Sequence, residues 1–256
     1  MFDIDGVLRD VAKSYRLAIQ ETVKTFIGWR PTLEEIDALK SEGCWNNDWD
    51  VSLELIKRRD KSIKDKFKIP SRDELISVFN NFYFGSDPKG PNNKWNGFIC
   101  NEPILVKKRF FDGLTAQGIA WGFVSGAERV SAQFLLEDRL GLNNPPLIAM
   151  GEAPDKPDPT GFLALANQLS KKGLGKEGPP VAYVGDTVAD VKTIYKAKQK
   201  IPDQNFISLA IAPPHLRADH IKEKRLAYEK LLIEAGADFI LESLDDISKY
   251  LLKPQN

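Results

Sequence analysis

Phe2-Asp3-Ile4-Asp5-Gly6-Val7 opens the chain with two carboxylates two residues apart and a glycine directly after the second. On a regular strand, residues two apart share a face, which would set two like charges side by side. Glycine lets the backbone turn sharply. Asp3 is therefore expected to end a strand, and Asp5 to lie on the loop that leaves it. Two aspartates held in different surroundings at a strand tip can do different chemical work.

Downstream the pattern changes character twice. From about Val11 to Phe84 the segments read as helices, with starts at Thr32-Leu33-Glu34-Glu35 and Ser71-Arg72-Asp73-Glu74, both of capping-box form. Ser86 to Gly97 has the glycine, proline and asparagine content of a loop. Short apolar runs then alternate with helical stretches: Ile119 to Val124, Leu147 to Met150, Val181 to Val184, Phe206 to Ile211 and Asp238 to Leu241. Alternating strand and helix implies a parallel sheet covered on both faces, an α/β fold. The strand at Phe2 to Ile4 is cut off from its fellows by the helical block, so that block reads as an insertion into one α/β domain.

Polar residues fall at the strand ends of this frame. Trp121 to Val124 runs into Ser125-Gly126, and Val181 to Val184 runs into Gly185-Asp186-Thr187-Val188-Ala189-Asp190. Lys156-Pro157-Asp158-Pro159 lies between them, just before a predicted helix. Ligands of open parallel sheets bind outside the carboxyl ends of strands. If Asp3, Asp5, Asp186 and Asp190 converge, like charges that close demand a cation, and all-oxygen ligands select a hard one such as Mg²⁺. With Lys156 and the donors at Ser125 added, such a site suits a phosphate group, and a carboxylate beside it can form an aspartyl-phosphate. Taken singly, each feature has a plainer explanation: a turn at Gly6, a helix cap at Asp186 or Asp190, a turn at Ser125-Gly126, a surface lysine at Lys156.

Taken together and in this order, D-I-D-G-V, V-S-G, K-P-D-P and G-D-T-x-x-D resemble the haloacid dehalogenase-like (HAD) hydrolase superfamily, phosphatase branch, and the helical block is similar to that family's C1-type cap. The resemblance covers nearly the whole core. It implies a Rossmann-like parallel-sheet core of residues 1–12 and 97–256 with an all-helical cap inserted at 13–96. It further implies that Asp3 is the nucleophile, that Asp5 protonates the leaving oxygen and then activates water, and that Asp3, Asp5 through its carbonyl and Asp186 hold Mg²⁺, with Asp190 either ligating it or orienting the residues that do. Ser125 and Lys156 would hold the phosphoryl group, with Gly126 beside them. Relatives that cleave carbon–halogen bonds generally lack the second carboxylate, so Asp5 points to a phosphohydrolase acting on a small phosphorylated metabolite. The alternatives are a sugar-phosphate phosphomutase and a catalytically decayed regulatory or binding protein. Only Met1 and Phe2 precede Asp3, fewer apolar residues than that family usually carries. Either the natural start lies upstream or the first strand, central in the sheet, is short and weak.

Arg9 follows the catalytic loop closely enough to meet a second anionic group of a substrate, or to form a surface ion pair. Trp45, in Cys44-Trp45-Asn46-Asn47-Asp48-Trp49-Asp50, is a candidate pocket residue, whereas Asn47 or Asp48 could cap the next helix. His215 and His220 read as structural. The 36 lysines and arginines balance 36 aspartates and glutamates, so no global field recruits nucleic acid or a membrane. Lys107-Lys108-Arg109 and Lys222 to Arg225 read as solvated helix surfaces. The two cysteines, Cys44 and Cys100, lack partners at ligand spacing, which argues against a zinc site or disulfide framework. No apolar run has the length of a membrane span and no signal peptide is visible, so a cytoplasmic location is expected.

Overall fold

Parallel strands of β-branched and aromatic residues form the centre of the fold, and the first of them is reduced to a single paired residue. The computed structural model describes residues 1–42, 45, 47–62 and 68–251; Cys44 and Asn46 lie outside them. Among the described residues the strands are β1 (Phe123–Val124), β2 (Leu147–Ile148), β3 (Val181–Gly185), β4 (Phe206–Ile211) and β5 (Phe239–Leu241), and every strand pairing is parallel. Phe2 bridges Phe123 on one side and Val184 on the other, so the order across the sheet is β2, β1, Phe2, β3, β4, β5. Four hydrogen bonds fix it there: Phe2 N to Gly122 O at 3.0 Å, Val124 N to Phe2 O at 3.0 Å, Asp3 N to Val184 O at 2.8 Å and Val184 N to Met1 O at 2.9 Å. The expected strand at Ile119 to Val124 is paired only from Phe123. Pro145-Pro146 precede β2 and have no N–H to extend the ladder upstream.

The chain divides into two compact units, Met1–Asp10 with Ile104–Asn256, and Val11–Pro103. The second is helical: α1 (Tyr15–Ile27), α2 (Leu33–Ser41), α3 (Asp48–Ser62) and α4 (Arg72–Tyr83). Both predicted capping boxes form, Thr32 with Glu35 and Ser71 with Glu74, and the Asn47 side chain accepts the N–H groups of Trp49 and Asp50 at the start of α3. Tyr15 stacks on Tyr83 with ring centroids 4.4 Å apart. The division falls after Asp10 and Pro103 rather than after residues 12 and 96. The reason is that Phe98 stacks on Phe82, and buried Glu102 accepts hydrogen bonds from Ser14 at 2.5 Å and Tyr83 at 3.1 Å.

In the α/β unit, side chains alternate across the sheet as strand geometry requires. Phe2, Phe123, Ala182 and Val184 pack on one face with Phe111 and Leu114 of α5 (Lys108–Ala116). Val124, Tyr183 and Phe206 pack on the other with Phe162 and Leu165 of α7 (Thr160–Leu169) and Ile194 of α8 (Val188–Lys200). The shorter α6 (Arg129–Gln133) follows β1, and α9 (Lys222–Glu234) precedes β5. Among the described residues no helix is long and apolar enough to cross a membrane. Phe2 sits edge-on to Phe110 and Phe111 at 5.7 Å each. Phe2→Ala is expected to cost about 3–5 kcal/mol, since it empties a ring-sized volume where both halves of the sheet meet; chemical denaturation of the purified variant checks this.

Candidate active site

Asp3 leaves the sheet immediately after the Phe2 bridge, and the next six residues fold into a closed turn. Ile4 O accepts the N–H groups of Val7, Leu8 and Arg9, and Gly6 N donates to Arg9 O at 2.9 Å. Gly6 has φ 76°, and a Cβ placed on it would lie 1.9 Å from an Asp186 carboxylate oxygen. Only glycine permits both the left-handed turn and that close approach. Asp186 itself follows β3, whose last residue is Gly185, where a Cβ would lie 2.2 Å from that of Asp190. The turn after the first aspartate motif is thus pressed against Asp186 of the second through the Gly6 backbone, while Gly185 lets Asp190 fold back within its own motif.

The result is a buried cluster of charge. Carboxylate oxygens of Asp3, Asp186 and Asp190 lie within 4.8 Å of one another, and all three residues are buried. Lys156 Nζ reaches Asp3 Oδ2 at 2.9 Å and Asp190 Oδ1 at 2.6 Å. Tyr183, pointing from β3 into the same region, donates its hydroxyl to Val124 O at 2.9 Å and lies 3.2 Å from Asp190 Oδ1. The second oxygen of Asp190 accepts Thr187 N at 3.0 Å and Thr187 Oγ1 at 2.6 Å, closing the capping box of α8. The capping carboxylate is therefore Asp190 and not Asp186. The carboxylate of Asp186 receives no hydrogen bond among the described residues.

Burial pushes the Asp3 carboxyl up to about 7, with Lys156 pulling against it and Asp190 and Asp5 adding to it. Burial, then the charges of Asp190 and Asp3, drives Asp186 well above the ordinary carboxylate range. Burial alone would depress Lys156, but Asp190 and Asp3 hold its ammonium well above the usual value. Three carboxylates against one ammonium leave a formal excess of two negative charges in a desolvated space. Hard oxygen donors with that excess fit a divalent cation.

Asp5 stands apart from this cluster. Its side chain is 26% exposed, and Oδ1 accepts Arg9 Nε at 2.6 Å. Arg9 is fully buried, with Nη2 on Ser131 Oγ at 2.9 Å. Arg9 thus forms a part-buried pair with Asp5 rather than a surface one, and with zero exposure its guanidinium would meet a substrate anion only by giving up these partners. Ser125, buried at the end of β1, accepts Ala127 N through Oγ at 3.1 Å, which leaves its hydroxyl hydrogen to donate. Gly126 is exposed beside it, and a Cβ there would meet nothing within 4 Å. Within the helical unit, the Trp45 indole donates to Glu42 at 2.9 Å and Arg58 lies 6.0 Å over its ring.

Four side chains around the site escaped the sequence reading. Tyr183 carried a signal, since a tyrosine in an otherwise aliphatic buried strand needs a hydrogen-bond partner. Arg217, which donates to Ala212 O at 2.6 Å and Gly6 O at 3.3 Å, carried none, nor did Tyr228, which donates to Asp186 O at 2.9 Å, or Ser131.

Asp3 ionises near 3.8 in an unfolded chain and near 7 in the fold, so the native state holds the extra proton between those values. The stability that this carries is complete below 3.8 and is lost as the pH rises through 7. With divalent metal chelated, Asp3→Asn is therefore expected to be more stable than the native sequence, by about 2 kcal/mol at pH ~8 and by little at pH ~4. The expected gap is about half of what the full displacement represents, because relaxation and water entry around an ionised buried carboxylate relieve part of its burial cost. Thermal unfolding across that pH range checks it.

The family model for haloacid dehalogenase-like hydrolase matches residues 1–197. An imidazoleglycerol-phosphate dehydratase of Phytophthora nicotianae is 29% identical over 245 residues, covering 94% of this chain and 49% of that protein. The chain thus spans about half the length of this curated relative. In fold it is similar to the phosphatase Tt82 of Thermococcus thioreducens (TM-score 0.62, 24% identity, covering 81% of this chain and 90% of that one). It is similar also to a candidate β-phosphoglucomutase of Thermotoga maritima (TM-score 0.59, 17% identity, 98% and 96% covered). With the family model matching most of the chain and the fold shared, the chain belongs to the haloacid dehalogenase-like hydrolases.

Proposed function

We propose that the protein is a Mg²⁺-dependent phosphohydrolase that removes phosphate from a small phosphorylated metabolite through an aspartyl-phosphate at Asp3. The observation that carries this reading is the placement of Asp3: a buried carboxylate at a strand tip, 2.9 Å from Lys156 and grouped with Asp186 and Asp190. In the first step an Asp3 oxygen attacks phosphorus in line, the ester P–O bond breaks, and Asp5 gives a proton to the departing oxygen. In the second, Asp5 takes a proton from water as its oxygen attacks phosphorus, and phosphate leaves with Asp3 restored. Lys156, the Ser125 hydroxyl and the Gly126 N–H would hold the phosphoryl oxygens throughout. Asp3, Asp186 and Asp190, with the Asp5 carbonyl, would hold Mg²⁺; when bound, it offsets the charge of the cluster and of the phosphoryl oxygens, keeping Asp3 ionised. Substrate selection is assigned to the inserted helical unit acting as a cap, with Trp45 among its contributing residues.

Among phosphorylated metabolites, monoesters that carry an imidazole ring come first. The relative named for imidazoleglycerol phosphate resembles this chain over only 49% of its length, and the matched region here carries a hydrolase family's motifs. A dehydration leaves a phosphate ester intact, so the product of an enzyme of that name is still the kind of monoester that a phosphohydrolase cleaves.

Phosphate release from a panel of phosphorylated metabolites, imidazole-bearing esters included, tests the reading. Release is expected to require Mg²⁺ and to fall at least about 10³-fold in Asp3→Asn, which removes the nucleophile at nearly constant size. Undiminished release in that variant, or in the presence of chelator, would overturn it.

A further inference from the structure

The pair of fully buried Arg9 with partly exposed Asp5 needs an explanation beyond stability. Arg9 is fully buried, and replacing such an ion pair by apolar side chains of similar volume is often neutral or stabilising. What an arginine offers instead is a rigid planar fork that fixes its partner's direction. Each end of this fork is anchored. Arg9 Nε lies 2.6 Å from Asp5 Oδ1, while Nη2 and Nη1 reach Ser131 Oγ at 2.9 Å and Ser131 O at 3.4 Å on α6. The backbone is held as well: Gly6 N donates to Arg9 O at 2.9 Å, Leu105 N donates to Leu8 O at 2.8 Å, and Arg9 bridges Ile104. Asp5, by contrast, lies on a turn with a side chain 26% exposed, free to change rotamer if nothing held it.

We infer that Arg9 is a positioning residue which, braced by Ser131, locks the Asp5 carboxylate in the orientation from which its other oxygen passes a proton to the leaving group. The inference rests on the phosphohydrolase reading and extends it to residues outside the family's motifs. Holding Oδ1 leaves Oδ2 to carry the proton. As the P–O bond to the leaving group breaks and the Asp3 O–P bond forms, that proton moves from Oδ2 to the departing oxygen, and the water of the second step later returns one.

The test compares an ester whose leaving group needs a proton with one whose leaving group does not. For each, kcat/KM reports the steps through transfer to Asp3. Arg9→Met, Arg9→Lys and Ser131→Ala are assayed with an alkyl phosphate, glycerol phosphate or the best substrate of the panel, and with p-nitrophenyl phosphate. Arg9→Met is expected to lose about 10²-fold in kcat/KM on the alkyl ester and less than about threefold on the aryl ester. Ser131→Ala should show a smaller loss of the same selectivity, and Arg9→Lys should restore part of it. The aryl ester should also give a burst of p-nitrophenol equal to the enzyme, because the water step that follows still needs Asp5. Equal losses on both esters in a variant whose circular dichroism matches the native protein, or unchanged activity on both, would overturn the inference and leave the phosphohydrolase reading standing. If Arg9→Met fails to fold, Ser131→Ala and Arg9→Lys carry the same comparison. A native protein inert toward both esters with Mg²⁺ would overturn the phosphohydrolase reading, and this inference with it.

Discussion

The Lys156 ammonium lies 2.9 Å from Asp3 and 2.6 Å from Asp190, and the carboxyl edge of the sheet is organised around that contact. Without it, three buried carboxylates would face one another within 4.8 Å, a charge density the fold could hold only by keeping some of them protonated. With it, Asp190 is held by the ammonium on one oxygen and by Thr187 on the other, and Tyr183 ties the pair to the end of β1. Asp186 is left with no such partner, and it is against Asp186 that the Gly6 turn packs. One lysine thus lowers the excess charge enough for the site to form, yet leaves two negative charges for a cation to meet. Burial first, and then the neighbouring carboxylates, push Asp3 and Asp186 above the ordinary carboxylate range.

Much of this frame was legible in the chain because its cues are local. Both capping boxes, the alternation of apolar runs with helices, and the glycine directly after Asp5 each depend on a few neighbouring residues. What was not legible depends on distant partners. Arg9 is read as exposed by residue type, and its burial follows from Ser131, 122 residues away. The neighbours of Phe2 in the sheet, Phe123 and Val184, are likewise far off in sequence. Thr187-Val188-Ala189-Asp190 has the spacing of a capping box with aspartate in the fourth place, and that spacing decides between the two expected caps in favour of Asp190, leaving Asp186 for the cluster.

The two aspartates of the opening motif are separated by surroundings more than by distance. Asp3 is desolvated, fixed by the Ile4 N–H at 2.8 Å and by Lys156, and set among other carboxylates. Asp5 is partly exposed and tied to a guanidinium. One carboxylate is thus confined where a cation and a phosphoryl group would both contact it, and the other is partly open to solvent, where water and a leaving group would exchange protons with it. That division matches what two-step transfer through a covalent intermediate requires.

The covalent intermediate is the claim on which the account turns. The direct measurement is to quench the protein during turnover of p-nitrophenyl phosphate with Mg²⁺, reduce the acyl phosphate with borohydride, and map the modified residue by peptide mass spectrometry. Asp3, and no other aspartate, is expected to be converted to homoserine, with Asp5→Asn raising the yield. Modification at another residue, or none at all while phosphate is being released, would contradict it.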